Sequence, residues 1–316
     1  MADKLAPPKP EKPAQPVPPD LVGSPIDSVV RALFAVSWGD ARRWIERGKI
    51  TVDGVAWTDP RKRVGAGASI ALTMNAPRPR PATDLPEGAI VFVDAQVVVV
   101  DKPAGISTVP YDDSETGTLD ERVRAALARE GRRGDRAERP PLGVVHRIDK
   151  ETSGLVVFTR TWAAKKSLSA QFRDHTVHRR YLAIAHGEVR AGTIRSHIVQ
   201  NRGDGLRGSR TRGDEGQIAI THVDVLERLN GATLIACRLE TGRTHQIRIH
   251  LSEAGNPIVG ERVYTRHWDK PEIPAPRLML HAEELGFVHP STEREVKWTV
   301  APPADFAQVL ARLRAG

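Results

Sequence analysis

The apolar positions of this chain follow two rhythms, one helical and one extended, which exchange several times along its length. Near the N-terminus, Val29, Val30, Leu33 and Phe34 recur at helical spacing and predict an amphipathic helix. Asp40 then stands where an N-cap would open a short helix over residues 41–47, and Gly48 stands where such a helix closes. Residues 49–52 read as a strand, Asp53-Gly54 is a tight-hairpin dipeptide, and Val55-Ala56-Trp57 is the return. A last strand is predicted over residues 69–72, after Gly65-Ala66-Gly67. Two helices, a hairpin and a strand in so short a stretch predict a small αβ module over residues 26–74.

Beyond residue 88 short β-like runs dominate, at 90–93, 97–100, 155–159, 181–186, 233–239 and 295–300. Helical patterns occupy residues 119–129, 162–172 and 305–313. Mixed elements of this kind predict one α+β domain over 88–316, organised around an extended mixed sheet that is largely antiparallel. Residues 75–87 are proline-rich and without periodicity, and read as a linker. Residues 1–25 hold eight of the 24 prolines among Lys, Glu and Ala. So few apolar groups cannot offset the entropy of ordering, which predicts a disordered tail.

Charge changes the picture more than composition does. The 47 Lys and Arg exceed the 39 Asp and Glu by eight, a surplus that favours a polyanionic partner. The single cysteine, Cys237, excludes a disulfide framework and any paired-cysteine metal site, and its apolar neighbours predict a buried strand position. No apolar run is long enough to span a bilayer, and the N-terminus lacks a signal-peptide core, so the expected location is cytoplasmic.

Several chemistries fail on local context. Gly203-Asp204-Gly205-Leu206-Arg207-Gly208 has the spacing of a dinucleotide loop, but polar residues precede it and a basic stretch follows, where a strand and a helix are required. It reads as a basic loop. The eleven histidines include no HExxH arrangement, so no metal site is expected. Neither a GxSxG elbow nor a phosphate-binding GxxxxGK[ST] loop occurs.

The segment from Gly143 to Phe158 differs. It wedges His146-Arg147-Ile148-Asp149-Lys150-Glu151-Thr152-Ser153-Gly154 between two apolar runs, as suits a rigidly held catalytic loop. Its sequence strongly resembles the signature loop of the RluA-type pseudouridine synthases. Further motifs resembling that family follow its order: Asp101-Lys102-Pro103-Ala104-Gly105, Arg180-Tyr181-Leu182-Ala183, Gly242-Arg243-Thr244-His245-Gln246-Ile247-Arg248, and Leu280-His281-Ala282 with Phe287-Val288-His289-Pro290. The resemblance covers about residues 88–300, and residues 27–73 resemble the S-four RNA-binding domain. Two departures stand out. Ile148 replaces a frequent leucine, and Glu261 follows Gly260 where members commonly show Asp.

The resemblance implies uridine-to-pseudouridine isomerisation in structured RNA, most simply large-subunit ribosomal RNA. It implies no cofactor, because the reaction is redox-neutral. Asp149 is the implied nucleophile, an ionised carboxylate at neutral pH. Arg243 is the expected ion-pair partner of Asp149, and Tyr181 either stacks on the base or takes a proton. Arg147 is expected to fill the space that a flipped nucleotide leaves. His146, Arg42, Arg43, Lys49, Lys165 and Arg180 are the remaining expected RNA contacts. A cluster at Arg160, Lys165, Lys166, Arg173, Arg179 and Arg180 faces only Asp174 nearby in sequence and reads as a phosphate-tracking surface. The expected partner is RNA, with no membrane, and the expected state is a monomer. Transfer RNA as substrate, an idle RNA-binding assembly factor, and an RNA methyltransferase are the alternatives. The last of these lacks a recognisable cofactor motif.

Overall fold

The computed structural model of the protein describes residues 12–76, 84–112, 115–131, 141–210 and 215–315. Expectations for residues 1–11, for most of the linker (77–83), for the basic stretch 132–136 and for 211–213 lie outside them. The chain divides into two compact units, residues 1–81 and 82–316.

In the first unit β1 (Lys12–Pro16) precedes α1 (Ile26–Phe34), α2 (Trp38–Glu46), β2 (Ile50–Val52), β3 (Val55–Ala56) and β4 (Ser69–Leu72). The strands form one sheet in the order β1-β4-β2-β3. Helix α1 buries Val29, Val30 and Phe34 of the predicted stripe, and Ile26 besides, against Ile45, Ile50, Ile70 and Leu72, while Leu33 is only partly buried. The start of α2 differs from expectation. Its N-cap is Ser37, whose hydroxyl accepts the Asp40 N–H at 3.1 Å and donates to the Asp40 carboxylate at 2.8 Å. An N-cap needs extended backbone, which Ser37 has, whereas Asp40 sits at the third helical position and completes a reciprocal cap.

The N-terminal segment is a second correction. Residues 12–16, read as tail, pair antiparallel with β4, and Val17 is buried in the unit's core. Proline lacks an N–H, but an edge strand has one side that needs none, so a proline-rich strand is tolerated there.

The second unit contains β5 (Ile90–Val93), β6 (Val97–Lys102), α3 (Leu119–Gly131), β7 (Gly143–Val144), β8 (Ser153–Thr159), α4 (Trp162–Arg173), β9 (His178–His186), β10 (Gly192–Val199), β11 (Gly208–Ser209), β12 (Gln217–Leu229), β13 (Ala232–Leu239), α5 (Gln246–Glu253), β14 (Leu280–Val288), β15 (Glu295–Thr299) and α6 (Ala304–Ala315). Its mixed sheet runs β11-β10-β12-β13-β9-β14-β8-β6-β5, with β15 beside β14 and β7 beside β8. The pairing of β14 with β8 is parallel, and the other pairings within this sheet are antiparallel. The period of two is visible across both faces. Val98, Val100, Val156 and Phe158 enter one core, with residues of α3 and α6, while Val97, Val99, Leu155 and Val157 enter another, with Leu168 of α4. Strands covered on both faces read as the continuous apolar runs seen in the sequence. Cys237 lies fully buried on β13, as its neighbours predict, and burial pushes its thiol up to about 12. Among the described residues, no helix is long and apolar enough to cross a membrane.

If β1 is integral to the first unit, Val17→Asp should destabilise that unit by about 1.5–3 kcal/mol, the worth of one buried valine. Amide hydrogen exchange in β4 measures this in the intact chain, and a disposable tail would leave it unchanged.

Candidate active site

The loop joining β7 to β8 carries Asp149, and a neighbouring segment holds that loop in shape. The Thr108 hydroxyl donates to the Ile148 carbonyl at 2.9 Å and accepts the Ile148 N–H at 3.2 Å. The Lys150 carbonyl accepts the Gly105 N–H at 2.8 Å and the Lys102 ammonium at 3.0 Å. Lys102 has no exposed surface and donates also to the carbonyls of Pro103 and Ile106 at 3.0 and 2.9 Å. Burial draws its pKa down to about 7, while three carbonyls match the three N–H groups of the charged form. Gly105 makes this approach at φ +85°, a backbone region that glycine enters freely. On the far side Arg277 donates to the Glu151 carbonyl at 3.3 Å and to Asp305 at 2.6 and 2.9 Å. The backbone on both sides of Asp149 is thus tied down.

Asp149 opens into a cleft of about 380 Å³ lined also by Arg147, Phe172, Tyr181, Arg243, His245 and Arg248. Its Oδ2 accepts from Arg248 Nη1 at 3.4 Å. Arg248 in turn donates twice to Glu261, at 2.7 Å from Nε and 2.8 Å from Nη2, and lies over the Tyr264 ring at 5.2 Å. Burial works against the charge on Arg248, but the Glu261 and Asp149 carboxylates outweigh it and raise its pKa above the ordinary value. Burial likewise opposes the charge on Glu261, yet its bonds from Arg248 and from the amides of Val263 and Tyr264 hold its carboxyl below the usual range.

Arg243 therefore does not pair with Asp149. Its Nε donates to the Ile218 carbonyl at 2.9 Å, and its guanidinium lines the cleft from the side of β12. The reason is helical geometry. Arg243 precedes α5, whereas Arg248 lies within it, on a helix buried on nearly every side. An arginine between Ile247 and Ile249 must find carboxylates inside the fold, and that signal in the sequence could have singled it out. Sequence reasoning also missed His245 and Tyr264. His245 Nε2 stands 3.9 Å from Asp149 Oδ1, and its Nδ1 is 2.7 Å from the Tyr264 hydroxyl. Burial lowers the His245 pKa against the opposing pull of Asp149, which favours the neutral ring. A lone pair facing a carboxylate is repelled, so the proton belongs on Nε2 and Tyr264 donates to Nδ1.

Tyr181 stands on β9, in register with Cys237 of β13 and Ala282 of β14, and presents its ring to the cleft. Burial raises its pKa, with Arg179 opposing and Asp149 adding to the rise, so the phenol is neutral. Arg147 is exposed at the mouth.

Several expected RNA contacts also bond within the protein. His146 Nε2 accepts the Val157 N–H at 3.0 Å and its ring stacks on Phe172 at 4.6 Å. Burial, with Arg179 nearby, takes its pKa to about 3, so His146 is a neutral brace for the loop rather than a phosphate ligand. Arg180 is paired with Glu283 and Glu284 across β14, because cross-strand neighbours of opposite charge meet there. Arg179 is buried, donating to the Leu239 and Glu240 carbonyls, and Arg160 donates to the Asp94 carbonyl. In the first unit Arg42 bonds Asp27 at 3.0 Å, Arg43 pairs with Asp40, and Lys49 donates to the Ala76 carbonyl. Lys165 remains exposed. The 203–208 loop joins β10 to β11 and the next described element is the strand β12, which fits its reading as a basic loop and not a dinucleotide site. No group of three or more His, Cys, Asp or Glu able to hold a metal occurs among the described residues.

Arg248→Gln should cost about 3–5 kcal/mol of stability, because it leaves Glu261 buried and unpaired. Adding Glu261→Gln should restore most of that loss in urea unfolding. Additive losses in the double variant would show that the two side chains do not act as a pair.

Residues 96–253 match the RNA pseudouridylate synthase family, and residues 25–70 match the S4 domain. The chain is 37 % identical to ribosomal large subunit pseudouridine synthase D of Pseudomonas aeruginosa over 316 residues, with 94 % of each chain covered. It is 36 % identical to the protein of that name in Xylella fastidiosa, covering 94 % of this chain and 91 % of the other. Among solved structures, human RNA pseudouridylate synthase domain containing 4 is similar at 26 % identity and a TM-score of 0.58, over 72 % of this chain and 93 % of that one. The family match over half of the chain and identities of 36 and 37 % over nearly its whole length lead to one conclusion: the chain belongs to the RNA pseudouridylate synthase family.

Proposed function

We propose that this protein isomerises uridine to pseudouridine in large-subunit ribosomal RNA, with Asp149 as the catalytic group. The observation that carries the reading is the Asp149 carboxylate, fixed by Arg248 in a cleft whose loop is tied down on both sides. The relatives named for the ribosomal large subunit support the substrate class. In the reaction the bond from ribose C1′ to uracil N1 breaks, the base turns, and C1′ bonds to C5. The proton on C5 leaves and N1 gains one, so no oxidant or reductant takes part.

Asp149 supplies negative charge to the electron-poor centre that forms when the glycosidic bond breaks. Arg248 orients that carboxylate through its 3.4 Å contact. Tyr181, whose phenol burial keeps neutral, is suited to stacking on the turning base and poorly suited to taking its proton. Arg147 at the mouth offers a planar cation for the gap left by an extruded nucleotide. The ribosomal substrate suits the cytoplasm. The S4 unit adds a second RNA-binding module on the same chain, which raises affinity through effective concentration.

Asp149→Asn should lower the single-turnover rate by roughly 10³-fold or more, because a near-isosteric amide is neutral and a poor nucleophile. RNA affinity and unfolding should stay close to wild type. Release of tritium from carbon 5 of labelled uridine in unmodified large-subunit RNA reads the rate. The Arg248→Gln, Glu261→Gln double variant should remain slow even where its stability returns. Substantial turnover by Asp149→Asn would remove Asp149 from the mechanism.

A further inference from the structure

Helix α4 has two unlike sides. Ala164 and Leu168 are buried, Gln171 bonds the backbone of Val288 twice, and Phe172 stacks on His146, so that side belongs to the fold. Trp162, Lys166, Ser169 and Arg173 recur at spacings of three and four and form the opposite side, with Lys165 at its edge, its stem beside Gly143. Trp162 is 76 % exposed, high for so large an apolar group, and the Lys166 ammonium lies 5.8 Å from its ring centre. Lys165 and Lys166 are exposed as well, and α4 contains no Asp or Glu. Arg173 meets Asp174 just beyond the helix, at 3.2 Å and largely exposed on both sides.

The face leads into the active site. Phe172, Arg173 and His175, at and just past the C-terminal end of α4, line the same cleft as Asp149. Trp162 lies eleven residues earlier, about 16 Å away along the axis at 1.5 Å per residue. An RNA strand whose target uridine occupies the cleft has to continue past its rim. Toward α4 it meets cations without an intervening carboxylate on the helix, and then a flat aromatic ring backed by an ammonium.

We propose that the outer face of α4 is a docking track for the single-stranded RNA flanking the target uridine, with Lys165, Lys166 and Arg173 on its phosphates and Trp162 stacked on an unpaired base. The inference rests on the protein being an RNA-modifying enzyme and adds where the flanking strand runs. Polyphosphate chemistry accounts for the cations, since each contacted phosphate releases counterions. The ring calls for a π-surface, which every unpaired base supplies irrespective of sequence. A protein partner would use an apolar patch around the tryptophan, yet its helical neighbours on this face are two lysines and a serine.

The experiment compares wild type, Trp162→Ala and Lys165→Gln/Lys166→Gln on one unmodified large-subunit RNA transcript. Affinity is followed against salt, and tritium release at saturating RNA is followed alongside. Trp162→Ala should weaken binding about tenfold, within the range for loss of one stacked base. The double variant should lower the slope of log affinity against log salt by about 1.4, at roughly 0.7 per single-strand phosphate. Both should keep the saturated rate within twofold of wild type, because neither touches the cleft. Photo-cross-linking from a benzoylphenylalanine at position 162 should mark nucleotides close to the converted uridine. Unchanged affinity and salt slope in both variants, or cross-links only to distant nucleotides or to protein, would overturn the track. Failure of the enzymatic reading registers separately, as no conversion by the wild type.

Discussion

The guanidinium of Arg248 must stay charged where little water reaches it, and two carboxylates make that possible. Glu261, almost fully buried, takes two of its N–H groups in a forked pairing, and Asp149 takes another. The arrangement divides labour between the acids. Glu261 is consumed in holding the arginine, so that Asp149, the more exposed of the two, can be oriented by it and still face a ligand. Removing water from around such a pair strengthens the interaction and also makes a missing partner costly. The departure that places glutamate after Gly260 is thereby explained in part, since its longer side chain reaches both arms of Arg248 while its oxygen also receives the amides of Arg262 and Val263.

The catalytic loop depends on a similar use of buried charge. Lys102 and Arg277 reach the carbonyls of residues 150 and 151, so two cations from distant parts of the chain grip the backbone directly after Asp149. Thr108 fixes the residue before it. A loop held this way loses little further entropy when a substrate binds, and its carboxylate is already in position. The central strands provide the frame. β8 leaves the loop as a fully buried strand, and the parallel pairing of β14 with β8 at Ser153 and Gly154 anchors the loop's exit.

Basic residues divide into those used inside the protein and those left for solvent. Arg179, Arg180, Arg248 and Arg277 are all engaged by carbonyls or carboxylates, whereas the α4 lysines are exposed. The total of 47 Lys and Arg therefore overstates the number of cations available to a polyanion at any one face, and the location of the exposed ones matters more than their count.

The sequence by itself determined much of this protein. Apolar periodicity located the central strands β6, β8, β9 and β13, because two-sided burial demands unbroken apolar runs, and it also located the edge strand β5 and the helices α3, α4 and α6. The loop's resemblance to the family's signature singled out Asp149, where polar density between apolar runs left an ordinary charged turn equally open. Strands β10 and β12 were not legible, since each buries one face only and mixes charged with apolar positions. The N-terminal strand was hidden by its prolines, whose composition resembles disorder when the edge of β4 that receives them is out of view. The apolar neighbours of Arg248 mark it as an arginine in need of buried carboxylates, but that Asp149 is one of them, that His146 is a brace, and that Arg180 pairs with Glu283 were decided only by tertiary structure. Charge pairing across some hundred residues of chain depends on which elements fold side by side, and a linear pattern carries no measure of that distance.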